Sequence, residues 1–97
     1  MNFGRTNVNA VVLPTGRILI IGGHSNGQKW SPTPVLQTEI YDPGTEKWTV
    51  GAPLNFPRQY HSVCILLADG SAVTAAGSPQ VRQSPTSTRL SFIRGVI

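Results

Sequence analysis

Arg5-Thr6-Asn7-Val8-Asn9-Ala10-Val11-Val12-Leu13-Pro14-Thr15-Gly16-Arg17-Ile18-Leu19-Ile20-Ile21-Gly22-Gly23 recurs further along the chain in altered form. The second copy is Arg58-Gln59-Tyr60-His61-Ser62-Val63-Cys64-Ile65-Leu66-Leu67-Ala68-Asp69-Gly70-Ser71-Ala72-Val73-Thr74-Ala75-Ala76-Gly77. Each copy opens on an arginine, runs through an apolar segment, turns at a glycine and enters a second apolar segment. The opening arginines are 53 residues apart and the turn glycines 54, the difference being one extra leucine in the second copy. A period near fifty means that one supersecondary unit is used more than once, and such units bury their faces against each other.

Two more strand candidates lie between the copies, Gln37–Asp42 and Lys47–Val50, joined by Asp42-Pro43-Gly44-Thr45. Proline presets φ and glycine accepts positive φ, so this tetrapeptide reads as a turn. The full unit then has four short antiparallel strands at about 8–13, 17–22, 37–42 and 47–50, and 58–77 supplies the first two strands of another. Ile18-Leu19-Ile20-Ile21 does not alternate, which predicts a strand covered on both faces. The connection from Gly23 to Leu36 is long, polar and interrupted by Pro32 and Pro34; it is expected on one face of the molecule, where such insertions form binding surface.

Composition agrees with this all-β reading. Ten glycines and eight prolines in 97 residues punctuate short apolar runs, and the apolar fraction of 39% suits a globular chain. No stretch approaches the roughly 18 apolar residues of a membrane span, and the first residues lack the apolar core of a signal peptide. The net charge of +4 is concentrated at the end of the chain. Residues 78–97 carry Arg82, Arg89 and Arg94 with no acid, whereas 1–77 holds five basic and four acidic residues. A nucleic-acid binder needs a basic face on its folded part, so no nucleic-acid partner is expected. The Ser/Thr/Arg-rich tail reads as an unassigned, disordered terminus. Cys64, the one cysteine, sits in an apolar run and reads as a small buried hydrophobe.

Gly22-Gly23, Tyr41 and Trp48, with six residues between the two aromatics, make up the kelch pattern. The glycines allow close backbone approach where units meet, and the aromatics fill the space between sheets. The fold class is therefore all-β: an antiparallel four-stranded kelch β-propeller blade (5–57), the first half of the next blade (58–77) and the tail (78–97). Gly22-Gly23-His24-Ser25-Asn26-Gly27 has the wrong spacing for a dinucleotide loop and is followed by prolines, not a helix.

A longer order of motifs is more specific. Arg5-Thr6, Val11-Val12-Leu13-Pro14, Gly22-Gly23, Thr38-Glu39-Ile40-Tyr41, Arg58-Gln59-Tyr60-His61-Ser62 and Leu66-Leu67-Ala68-Asp69-Gly70 follow one another as in the galactose oxidase and glyoxal oxidase family. From Arg5 to Gly77 the chain resembles the last two blades of that propeller. The resemblance implies a secreted copper radical oxidase that oxidises an alcohol or aldehyde, carbohydrates included, and reduces dioxygen to hydrogen peroxide. It implies that Tyr60 and His61 are copper ligands, with Tyr60 also catalytic. Imidazole suits Cu(II), and a phenol with a pKa of about 10 becomes a ligand or base only beside a strong cation. Adjacent strand residues point to opposite faces, so the two can share a metal only at the point where the chain enters the strand.

Several positions depart from the family. Val8 stands where relatives often have histidine, and the second copy ends in Ala76-Gly77 in place of a double glycine. The cross-linked cysteine and radical tyrosine lie in earlier blades, and a further histidine ligand lies in a later domain; Cys64 and the tail match neither. His24 matches no ligand position and is expected to face solvent. The alternative is a non-catalytic kelch module, with His61 merely bonding a blade edge and the 24–36 loop binding a protein or glycan. A unit of this kind cannot cover its own faces, so the chain is expected to be a truncated product or fragment, inactive alone. Its partners are then the remaining blades or another copy of itself.

Overall fold

The computed structural model describes residues 1–25, 33–58, 62–77 and 90–94. Seven strands account for about half of them: β1 (Asn9–Val12), β2 (Ile18–Ile21), β3 (Gln37–Asp42), β4 (Lys47–Pro53), β5 (Ser62–Leu66), β6 (Ala72–Ala76) and β7 (Leu90–Ile93). They form two antiparallel sheets, β1-β2-β3-β4 and β5-β6-β7. The first four strands fall where the apolar runs place them. β4 continues three residues past Val50, after a register shift opposite Gln37 and Glu39.

The repeat seen in the sequence is also a repeat of geometry. Leu13 N donates to Arg17 O at 2.8 Å, and Leu67 N donates to Ser71 O at 2.8 Å. Gly16 and Gly70 close these turns with φ of 85° and 87°. Arg5 Nη1 donates to Gly22 O at 3.0 Å, and Arg58 Nη1 donates to Ala76 O at 3.0 Å. The two opening arginines thus hold the far end of the same hairpin in both sheets. Ala76 keeps the left-handed backbone of its counterpart Gly22, at φ 59° against 81°; without a glycine that conformation costs about 1–2 kcal/mol.

Three expectations are corrected. The second sheet has a third strand: β7 pairs with β6, and Ile93 is buried in the core, so this part of the tail is folded. In β2 only one face is fully covered, because Leu19 and Ile21 point to the second sheet while Ile18 and Ile20 are half-buried on the other side. In the β3–β4 turn the left-handed residue is Glu46, and the Asp42 carboxylate accepts from Gly44 N at 2.9 Å. Tyr41 and Trp48 pack on each other with ring centroids 4.9 Å apart. Their register with Ile18 puts them on the face turned away from the second sheet.

The core lies between the sheets and consists of Leu13, Leu19, Ile21, Leu54, Ala72 and Ile93, with Cys64 and Leu66 packed against it. One charged pair accompanies it. Arg5 Nη2 meets Glu39 Oε2 at 2.7 Å with both side chains fully buried, and Arg5 also donates to Gln37 O at 2.9 Å. Asn2 N donates to the other Glu39 oxygen at 2.6 Å. A buried pair of this kind adds little net stability over an apolar substitute, but removing one partner strands the other charge.

Two outcomes follow. Arg5→Met should lower unfolding stability by about 3–5 kcal/mol in denaturant titration, whereas exposed Lys47→Met should stay within about 0.5 kcal/mol. Burial pushes the Cys64 thiol from its ordinary 9.0 up to about 11. The folded state therefore favours the protonated thiol, a contribution complete below pH 9 and lost as the pH rises through about 11. At pH 8 a thiol reagent should label Cys64 far more slowly in the folded than in the denatured chain; equal rates would contradict its placement against the core.

Candidate functional site

The segment that carries the candidate ligands runs from Arg58 to Ser62. Tyr60 and His61 lie outside the described residues, but both ends of the segment are described. At its start Arg58 is fully buried. Its carbonyl accepts a 2.6 Å hydrogen bond from Gly23 N, and its guanidinium lies 6.0 Å from the centroid of the Phe56 ring. Burial lowers the pKa of the Arg58 guanidinium from its ordinary value. At the other end Ser62 opens β5, and Asn9 Nδ2 of β1 donates to Ser62 Oγ at 2.8 Å. The two described end residues are therefore both bonded to the first unit.

The double glycine explains the first anchor. A Cβ on Gly22 would lie 2.5 Å from Arg58 O, and one on Gly23 would lie 2.5 Å from Thr6 O and 2.7 Å from Val8 Cγ1. Both glycines have positive φ, at 81° and 88°. Only residues without a side chain let the Arg58 backbone approach this closely. Neither Arg58 nor Asn9 stood out as a support of the site from sequence. The repeated arginine was the available signal for the first; a strand asparagine beside a strand serine carries none.

His24, expected in solvent, is 3% exposed. Its backbone exchanges hydrogen bonds with Thr6, at 2.9 Å from Thr6 N to His24 O and 3.1 Å in the reverse direction, and it also bridges to Pro34. Asn7 Nδ2 lies 3.0 Å from His24 Nε2, within hydrogen-bond distance. The correction has a backbone cause: the residue after the double glycine pairs with the chain start, and this pulls the ring inside. Asp69 is a turn residue. Ser71 Oγ donates to it at 2.6 Å and Ser71 N at 2.9 Å, and these bonds hold its carboxyl below the usual range. Among the described residues no three histidine, cysteine, aspartate or glutamate side chains converge.

Comparison with known proteins identifies the family. The family described as "Glyoxal oxidase N-terminus" matches residues 1–91. A galactose oxidase from Gibberella zeae is 38% identical over 76 residues, covering 77% of this chain and 11% of that protein. The aldehyde oxidase GLOX of Vitis pseudoreticulata is 35% identical over 85 residues, covering 81% of this chain and 16% of that protein. Among solved structures, a fungal alcohol oxidase of the AA5 family in complex with copper superposes with a TM-score of 0.78 at 30% identity. That match covers 97% of this chain and 20% of the other. The chain thus spans between about a tenth and a fifth of the relatives it matches. With a family match over nearly its whole length, and relatives above 30% identity, the chain belongs to the galactose oxidase and glyoxal oxidase family.

Proposed function

We propose that this chain is a section of a copper radical oxidase propeller in which Tyr60 and His61 are two of the copper ligands. The observation that carries the reading is the double anchoring of 58–62. The segment is fixed to the first sheet through Gly23–Arg58 before the ligand pair and through Asn9–Ser62 after it. Ligands on a metal need that kind of support, because small displacements change coordination geometry.

The donor set fits the metal by chemistry. A neutral imidazole and a phenolate are both ligands that Cu(II) accepts, and β5 begins at Ser62, the residue that follows His61 in sequence. Bound copper would supply a one-electron acceptor and a Lewis acid that favours the phenolate form of Tyr60. Tyr60 would then accept the substrate hydroxyl proton, and His61 would orient the metal side of the site. The overall reaction removes two electrons and two protons from an alcohol or aldehyde hydrate and delivers them to dioxygen as hydrogen peroxide. Small alcohols, aldehydes and carbohydrates are the substrate class, and the remaining ligands and the substrate walls come from other parts of the full-length protein. The two described sheets correspond to a kelch blade over 5–57 and the beginning of the next from 58. We extend to the full-length protein the extracellular location expected of this family. Among the described residues no helix is long and apolar enough to cross a membrane.

Copper titration of the full-length protein, followed by electron paramagnetic resonance, tests this reading. Replacing groups that only support a metal ligand costs about 10–100-fold in affinity, so His61→Ala should cost more. Tyr60→Phe should weaken binding and abolish peroxide formation. The 97-residue chain alone should produce no peroxide. Copper affinity unchanged in both variants would overturn the assignment and favour a non-catalytic kelch module that binds a protein or glycan.

A further inference from the structure

Asn9 and Ser62 stand at positions where the strand pattern calls for apolar residues. In β1, Asn9 lies opposite Ile21 and Val11 opposite Leu19, and both of these β2 partners are fully buried. In β5, Ser62 lies opposite Ala76, Cys64 opposite Thr74 and Leu66 opposite Ala72, with Cys64 and Leu66 packed against the core. Directly opposed residues share a face of the sheet, and so do alternate residues along a strand. Asn9 and Val11 are thus the inward series of β1, and Ser62, Cys64 and Leu66 that of β5, while Val12, Val63 and Ile65 are exposed on the other side. Each inward series is apolar except at its first member. These two first members are bonded to each other, Asn9 Nδ2 donating to Ser62 Oγ at 2.8 Å.

Packing alone does not account for the pair. Asparagine is depleted in strands, and replacing both members of a neutral hydrogen bond by apolar groups of the same shape is nearly neutral for stability. What the bond adds is direction, because it fixes the start of β5 against a strand of the other sheet. A local rule broken without a gain in packing marks a functional position more often than a structural one. The bond also completes a frame. Ser62 is the β6-facing partner of Ala76, and Arg58 Nη1 donates to Ala76 O at 3.0 Å. Arg58 O accepts from Gly23 N at 2.6 Å. Arg58 and Ser62 are therefore each tied to both units, and Asn9 supplies the tie to the first unit at Ser62.

We propose that Asn9 is a positioning residue for the copper site: through Ser62 it fixes the backbone to which His61 is joined by one planar peptide unit. The inference rests on the reading of His61 as a copper ligand. Groups that orient a ligand without touching the metal contribute to affinity and to coordination geometry. Asn9 acts in this way from a strand 53 residues earlier in the chain.

Copper affinity and the Cu(II) electron paramagnetic resonance spectrum of the full-length protein test this, read beside the thermal midpoint of its copper-free form. Asn9→Leu and Ser62→Ala should each weaken copper binding by about tenfold, the lower end for residues that support a ligand, and should change the copper hyperfine splitting. The double variant should lose no more than the weaker-binding single variant, because Asn9 acts only through Ser62. Asn9→Asp, whose carboxylate can accept from the Ser62 hydroxyl, should keep the wild-type spectrum. The copper-free midpoint should hold at the wild-type value in each, since leucine continues the inward apolar series. If Asn9→Leu loses its β-sheet circular dichroism, Asn9→Ala takes its place. Wild-type affinity and spectrum in the Asn9 variant, with binding still abolished in His61→Ala, would overturn the proposal and leave the ligand assignment standing. Losses that multiply in the double variant would also overturn it. So would losses that track a fall in the copper-free midpoint, which mark a support of the fold alone. Unchanged copper binding in His61→Ala would remove this inference together with the reading beneath it.

Discussion

The close approach of the Gly22–Gly23 backbone to Arg58 is the constraint on which the rest of this structure depends. Gly23 N donates to Arg58 O at 2.6 Å, and a side chain on Gly22 would occupy the position of that carbonyl. The contact joins the end of β2 to the start of the second unit. It therefore sets how the second sheet lies on the first, and so which residues share a core. Leu54, four residues before Arg58, is buried in that core, and β5 runs beside β1 with Asn9 bonded to Ser62. Steric permission at two glycines thus becomes sheet packing.

The same constraint links packing to function. The first sheet bonds to both Arg58 and Ser62, the described residues that flank the proposed ligands Tyr60 and His61 in sequence. For the proposed copper ligands, flanking residues already anchored on folding would reduce the ordering cost left for binding. The buried Arg5–Glu39 pair does the corresponding work for the first unit, tying the chain start to β3 and the end of β2. The outward faces follow as well. A unit built to be covered on both sides carries apolar residues on both, as Val12 on the first sheet and Ile65 and Phe92 on the second illustrate.

Much of the fold was legible because turn glycines and apolar runs are local signals. Gly16 and Gly70 mark equivalent turns, and the strands between them follow. β7 was not legible: Leu90–Ile93 is four residues long, follows a segment rich in serine, threonine and proline, and lacks the Glu-x-Tyr spacing of β3. Its strand character comes from pairing with β6. His24 was misplaced for a similar reason, since its burial is imposed by backbone bonds to Thr6, eighteen residues away. Of the candidate site, sequence supplies the identities of Tyr60 and His61 through family resemblance. The supports from Gly23 and Asn9 are contacts across 35 and 53 residues and appear only once the sheets are assembled.

Amide hydrogen exchange at Gly23, read by NMR, tests the docking of the two units most directly. If the Gly23–Arg58 bond joins the sheets into one cooperative body, the Gly23 amide should exchange as slowly as the amides paired within β2 and β6, and through the same global opening. A Gly23 amide that exchanges freely while those strand amides stay protected would contradict it, because the two sheets would then be folding as separate units.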